Sequence, residues 1–393
     1  MAASTSGRTA PRLAGLSWTP YALRLRTPFQ TSRERLSVRH GLLVRAVDSD
    51  GREGYGEAAP IAGFGMESLA ESGRALQWSA ERLVGRRPAA GPAASSHKRP
   101  SRRLRSIPDA LDALDAIRHA PAARHGIECA LADLAAQARG VPMYRWLLDA
   151  LGASFAAPAA IPVNATVGAL DPAAAARHAA QLAAQGYGTL KVKVGAGGAQ
   201  ADSERLAAVR KAAPRIVLRV DANGAWTEEE ALDWLAAHVH IGLEYAEQPL
   251  PRGNLPAWIR LTAASPVPIA ADESVLSAAE AQAILAAKAA HLLVLKPMAL
   301  GGPLPALRVA AHAIGRGVPV VLTSVLEGAF GRTAALHAAA AAQALAARPL
   351  PAMGLATGDL LAEDLVADPP APIQGCLRVP QEPGLGLHGI LPP

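Results

Sequence analysis

Aromatic residues make up only 4% of this 393-residue sequence, and there are just two cysteines, Cys129 and Cys376. A pair so far apart, outside any metal-type spacing, argues against a disulfide framework and points to a reducing, cytoplasmic setting. No apolar run is long enough to span a bilayer without a charge or a proline, and residues 1–20 have no apolar core of signal-peptide length. The expectation is a protein with no membrane span. Lysine is scarce beside arginine, so a lysine inside an apolar strand stands out. Basic residues interleaved with aromatics, as a single-stranded nucleic-acid groove requires, are missing. Much of the +6 formal charge falls in residues 86–105, together with Gly91, Pro92, Ser95, Ser96 and Pro100. That segment is predicted to be an exposed loop between helices, with no nucleic-acid partner.

The chain is 50% hydrophobic and 18% charged, the balance of a folded globular protein, and is long enough for more than one domain. Between residues 21 and 57 apolar and polar positions alternate, broken by the turn signal Asp48-Ser49-Asp50-Gly51. This predicts an antiparallel meander. Helical patterns follow at 67–83, 107–120 and 126–139, giving an α+β module over residues 1–155.

From residue 161 short apolar runs alternate with alanine-rich amphipathic segments. The runs are 161–167, 190–194, 216–220, 243–246, 267–270, 292–295 and 318–322, with a short eighth at 352–355. Capping-box patterns, Thr227 with Glu230 and Ser277 with Glu280, mark helix starts between them. Repeated β-α units of this size predict a (β/α)-barrel over 156–365. An open doubly wound sheet is the rival, but no glycine-rich nucleotide loop follows the first strand, and Gly195-Ala196-Gly197-Gly198 does not fit the dinucleotide spacing. The tail, 366–393, is expected to return to the N-terminal module.

Barrel enzymes keep their sites at the carboxyl ends of the strands. Here those ends carry Lys191 and Lys193, then Asp221-Ala222-Asn223, Glu247-Gln248-Pro249, Asp272-Glu273-Ser274 and Lys296-Pro297. A single acid there is commonly a helix N-cap. Three on successive strands form a set of hard oxygen donors suited to Mg²⁺, with Mn²⁺ the alternative. Lys191 and Lys193 share one face of their strand, where an ammonium is costly unless paired or placed at the mouth. A lysine near a metal and a second lysine can serve as a base. Lys296 lies across the barrel from them.

Taken in order, these motifs resemble the enolase superfamily, in particular its muconate-lactonizing subgroup, and the likeness covers nearly the whole chain. It implies a modified TIM barrel with an N-terminal α+β capping domain completed by the C-terminal tail. Within the subgroup the sequence is most similar to the o-succinylbenzoate synthase family of menaquinone synthesis. The pointers are Gly56-Glu57-Ala58-Ala59-Pro60 running into Phe64-Gly65-Met66, with Gly301-Gly302 and Thr323-Ser324. The resemblance implies that Asp221, Glu247 and Asp272 hold Mg²⁺. Lys193 is the implied base and Lys296 the electrostatic partner, with Lys191 and Asn223 in support. Phe64, Gly65, Met66, Gly301, Gly302, Thr323 and Ser324 are then expected to meet a small carboxylate substrate.

The implied reaction is syn-dehydration of 2-succinyl-6-hydroxy-2,4-cyclohexadiene-1-carboxylate to 2-succinylbenzoate. The alternative is an N-succinylamino acid racemase, which would use the same lysines on opposite faces of one carbon. A dipeptide epimerase is disfavoured, because its usual Asp-x-Asp pair is missing from 354–360. A non-catalytic carboxylate- or protein-binding barrel would be expected to have lost a metal acid or a lysine, and none is lost. His125, His291, His312 and His337 are read as core or surface residues, and the sequence does not specify an oligomeric state.

Overall fold

The computed structural model of the chain describes residues 11–30, 35–84 and 105–391. The basic segment 86–105, predicted as a loop, lies outside the described residues except for Arg105.

The N-terminal layer is a three-stranded antiparallel sheet in the order β1 (Leu13–Gln30), β2 (Arg35–Asp48), β3 (Glu53–Ala58). The predicted turn joins β2 to β3, with the Asp48 carboxylate accepting from the backbone N–H groups of Asp50 and Arg52. Behind this sheet stand α1 (Leu69–Leu83), α2 (Ile107–Asp112) and α3 (Pro121–Arg139). The predicted helix over 107–120 breaks after Asp112 into a 3-10 turn, Ala113–Ile117. Helix α3 presses on β3 closely enough that a Cβ on Gly56 would lie 2.1 Å from the carbonyl oxygen of Gly126. Only glycine permits that approach. Helix α4 (Met143–Ala150) then leads out of the layer.

The strand β4 (Ala160–Pro162) pairs antiparallel with β12 (Cys376–Arg378) of the tail. The apolar run predicted at 161–167 is therefore two strands with different partners, since β5 (Ala165–Val167) belongs to the barrel. The barrel continues as α5 (Pro172–Ala184), β6 (Thr189–Lys193), α6 (Ala199–Ala212), β7 (Val217–Asp221) and α7 (Glu228–Ala237). Next come β8 (Leu243–Glu247), α8 (Leu255–Ala264), β9 (Ile269–Ala271) and α9 (Ala278–Ala287). The last units are β10 (Leu292–Leu295), α10 (Pro303–Ile314), β11 (Val320–Leu322) and α11 (Ala329–Leu345).

These seven strands are parallel and lie in sequence order from β5 to β11. The eighth position is taken by the predicted run at 352–355, in bridges rather than a full ladder: Thr323 with Gly354 and Val163 with Met353, both parallel. The short contact leaves the sheet curled and only partly closed at this seam. Inside, Arg219 is fully buried; its guanidinium donates to the Asn164 side chain at 3.1 Å and to the Ala352 carbonyl at 2.7 Å, so one side chain ties β7 to both sides of the seam.

The tail runs back along the first layer. Gly384 exchanges backbone hydrogen bonds with Val141 and Met143, and Leu385 N–H donates to the buried Asp133 carboxylate at 2.8 Å. No described helix is long and apolar enough to cross a membrane.

Candidate active site

Because side chains alternate along a strand, Lys191 and Lys193 both point to the interior of β6, while Val192 between them is buried against the helices. The same alternation on β7 aims Arg219 and Asp221 inward. The backbone turns sharply after two of the acid-bearing strands, with Asn223 at φ 48° and Gln248 at φ 41°. Asparagine tolerates this left-handed region, while glutamine does so at a cost of about 1 kcal/mol or more. Gln248 offsets that cost through its side chain. Its amide oxygen accepts from the N–H groups of Asp272 and Ser274, and its amide nitrogen donates to Leu250 O and Ser274 Oγ. The end of β8 is thereby fastened to the end of β9, fixing Glu247 beside Asp272.

At the mouth, the Lys193 ammonium donates to Asp221 at 2.6 Å and to Asn223 Oδ1 at 2.8 Å. The Lys191 ammonium lies 2.7 Å from Glu247 and 3.1 Å from Asp221. Across the barrel Lys296 pairs with Asp272, and its ammonium stands 5.0 Å from the centre of the Phe64 ring. Phe64 comes from the first layer, in a 3-10 turn at Ala62–Phe64, so that layer lids the lysine that follows β10. Asn223 donates onward to Glu273 at 2.9 Å, and the other Glu273 oxygen is buried with no hydrogen-bond partner among the described residues.

The electrostatics follow from crowding charges in a dry space. Burial alone would raise the Asp221 carboxyl, but Lys191 and Lys193 outweigh it and hold the group well below the usual carboxylate range. Glu247 is pushed up to about 7, first by burial and then by the negative charge of Asp221. Asp272 is pushed up to about 6 by burial, opposed by Lys296 and reinforced by Glu273. Burial acts to lower Lys191, yet Asp221, Glu247 and Asp272 drive it well above its ordinary value. Four acids thus face three lysines, and one carboxylate oxygen has no partner. Oxygen donors with unbalanced negative charge fit a hard divalent cation. Among the described residues the acids rest on lysines, not in a ready three-ligand cluster.

Of the residues expected from the sequence, Lys191, Lys193, Asp221, Asn223, Asp272 and Lys296 line one cavity of about 260 Å³. Phe64, Thr323 and Ser324 share its walls, and Glu247 lies buried behind Lys191. Three others sit elsewhere. Met66 is packed in the core. Gly301 gives its carbonyl to the Arg124 guanidinium, and a Cβ on Gly302 would collide with Glu128. That glycine pair seats the β10–α10 turn against α3, outside the mouth. Gly65 stands at the edge, where a Cβ would come within 2.8 Å of the Arg252 guanidinium.

The roles of Gln248, Glu273, Asn164 and Arg252 were not apparent from sequence. Gln248 and Glu273 adjoin acids already singled out, so their place at strand ends was the available signal. Asn164 and Arg252 follow no pattern. They line the mouth because the seam and the β8–α8 loop bring them there.

Comparison with known proteins agrees with this geometry. Residues 174–389 match the family described as enolase C-terminal domain-like, and residues 18–103 match the MenC N-terminal domain. The chain is 41% identical over 244 residues to o-succinylbenzoate synthase of Mycobacterium tuberculosis, covering 60% of this chain and 70% of that one. Among solved structures, muconate lactonizing enzyme from Pseudomonas fluorescens superposes with a TM-score of 0.83 at 29% identity, covering 97% of both chains. The L-Ala-D/L-Glu epimerase from Bacillus subtilis has the same TM-score at 26% identity, covering 97% of this chain and 99% of that one.

Proposed function

The chain belongs to the enolase superfamily and, within it, to the o-succinylbenzoate synthase family, and we propose that the cavity at the strand ends carries that family's reaction. The protein is a carbon–oxygen lyase of menaquinone synthesis. The family implies a divalent-metal-using site, and we assign the metal, Mg²⁺ or Mn²⁺, to Asp221, Glu247 and Asp272. Once bound there, the cation supplies Lewis-acid stabilisation for charge developing on the substrate carboxylate.

The observation that carries the assignment is the placement of the lysines. Lys193 ends β6 and Lys296 directly follows β10, two strands four places apart around an eight-place ring, so the lysines face each other across the mouth. In the proposed sequence the Lys193 amine takes the proton from the ring carbon next to the carboxylate. The carbon–oxygen bond to the 6-hydroxyl then breaks as Lys193 returns that proton to the departing oxygen, releasing water and leaving the aromatic ring. Lys296 stays charged and faces the developing negative charge, held by Asp272 and covered by Phe64. Asn223 and Glu273 orient the Lys193 ammonium, and Lys191 occupies Glu247 and Asp221 from below. Thr323 and Ser324 are placed to meet the substrate's polar groups.

We further propose that residues 1–155 act as the cap, 156–365 as the catalytic barrel and 366–393 as the returning tail. Both cysteines are unpaired, which suits a cytoplasmic enzyme.

The test is a pair of assays on one purified sample with Mg²⁺. Loss of the cyclohexadiene absorbance follows dehydration, and polarimetry follows racemisation of an N-succinylamino acid. Dehydration that dominates and disappears in Lys193→Ala supports the proposal. Dominant racemisation would move the physiological role to the two-base reaction of the same lysines, and activity that survives in Lys193→Ala would overturn the base assignment.

A further inference from the structure

A second cavity, of about 800 Å³, opens on the outside of the barrel between the first layer and the helices α9 and α10. Its charge is one-sided. Arg118 and Arg124 reach it from the first layer and Arg308 from α10, against a single lining carboxylate among the described residues, Asp115. His119 and His312 add ring nitrogens, His312 one helical turn beyond Arg308 on the same face.

The three guanidiniums are not equally engaged. Arg124 is fixed: it donates to Glu128 at 2.7 Å and to the Gly301 carbonyl, and Glu128 in turn accepts from Leu304 N–H at 2.8 Å. Among the described residues the Arg118 side chain has only a loose, exposed contact with Asp115 at 3.8 Å, the kind of pair that contributes little. Arg308 forms no hydrogen bond or salt bridge among the described residues. The cleft therefore holds one anchored cation at its floor and two weakly engaged ones on opposite walls, Arg118 beside Asp115 on the cap layer and Arg308, whose charge acts on the buried Glu128, on the barrel.

We infer that this cleft binds a small molecule carrying at least two anionic groups, phosphate or carboxylate, which clamps the first layer to the barrel. Arginine suits such groups because its planar fork donates in pairs. A cavity of this volume is the size of a small-molecule site and too large to be filled by a single inorganic ion. The floor also leads inward. The turn Lys296–Gly302 begins at the site lysine, whose carbonyl accepts from Leu300 N–H at 3.0 Å, and ends at the Gly301 carbonyl held by Arg124. The floor of the cleft and Lys296 thus belong to one short backbone segment.

The experiment is calorimetric titration of the full-length, metal-free protein with inorganic pyrophosphate and, separately, with citrate, at constant ionic strength. The expected result is one saturable site per chain for at least one of the two, the tighter probe identifying the preferred anion. Binding should weaken at least tenfold in Arg118→Ala/Arg308→Ala, whose substituted side chains are exposed and anchor nothing in the fold. It should persist in Lys193→Ala/Lys296→Ala. No saturation with either probe would overturn the inference, as would an affinity unchanged by the arginine substitutions. Loss of binding in the lysine variant alone would place the anion in the mouth and overturn it equally.

Discussion

The Lys193 ammonium is held by Asn223 at 2.8 Å as well as by Asp221 at 2.6 Å, and Asn223 passes the hold on to Glu273. The proposed base is thus held by two residues from the end of β7, one of which is backed in turn by Glu273 from beyond the end of β9. Lys193→Ala is expected to lower kcat by roughly 10²–10⁴-fold, the range for removal of a general acid–base group. Asn223→Leu keeps the amine but frees its direction, so kcat should fall less, with KM nearly unchanged. Steady-state kinetics on both variants check this, and an Asn223→Leu variant as slow as Lys193→Ala would point to a direct chemical role for Asn223.

Metal binding should be visible in stability as well as in rate. A cation that binds only the folded chain at a hundredfold excess over its Kd stabilises it by about 2.7 kcal/mol. Adding Mg²⁺ to chelator-treated protein is therefore expected to raise Tm, and Asp272→Asn should abolish most of that rise. A full Mg²⁺-dependent shift in the variant would remove Asp272 from the ligand set.

The buried histidines predict a pH effect of known sign. In His337, Nε2 donates to Leu385 O while Nδ1 accepts from Tyr144 N–H, which fixes a neutral ring. Burial holds both His337 and His125 down to about 4, against an ordinary value of 6.5. Between those pH values the unfolded chain takes up protons that the fold refuses, so their stability contribution is complete above 6.5 and is lost as pH falls towards 4. Glu128 and Glu327, raised to about 7 mainly by burial, act in the opposite sense. His337→Gln can keep both hydrogen bonds while removing one titrating group. Its stability relative to the parent should rise on acidification from pH 6.5, by up to about 1.4 kcal/mol per pH unit. Parallel Tm-against-pH curves for the two proteins would contradict this.

Gly56→Ala tests the contact between β3 and α3. The added methyl would meet the Gly126 carbonyl at 2.1 Å, inside a core with no slack. A loss of about 1–3 kcal/mol is expected, the usual cost of overpacking. Chemical denaturation measures it, and an unchanged midpoint would mean that α3 slides freely on the sheet.

Several features were legible in the sequence because they depend on local spacing. Period-two alternation placed Lys191 and Lys193 on one face, and the recurrence of strand and helix lengths announced a barrel with its polar strand ends in order. Capping-box patterns at Thr227 and Ser277 located helix starts, because an N-cap side chain bonds to backbone three residues away; the reciprocal bond forms at Thr227, while Glu280 accepts from Leu276 N–H instead of Ser277 N–H. Those signals need no knowledge of distant partners.

Tertiary structure decided whatever depends on which distant segments meet. The run at 161–167 reads as one strand, yet its first half pairs with the tail at 376–378 and its second half with β6. Gly301 and Gly302 look like mouth residues after a strand, but α3 arrives from the first layer and occupies that space with Arg124 and Glu128. Gln248 fastens two strand ends, and Arg308 faces a cleft, only because separate elements were folded together. Chain spacing fixes where a side chain points along its own element; the company it keeps is set by packing between elements, where sequence distance carries no information about distance in space.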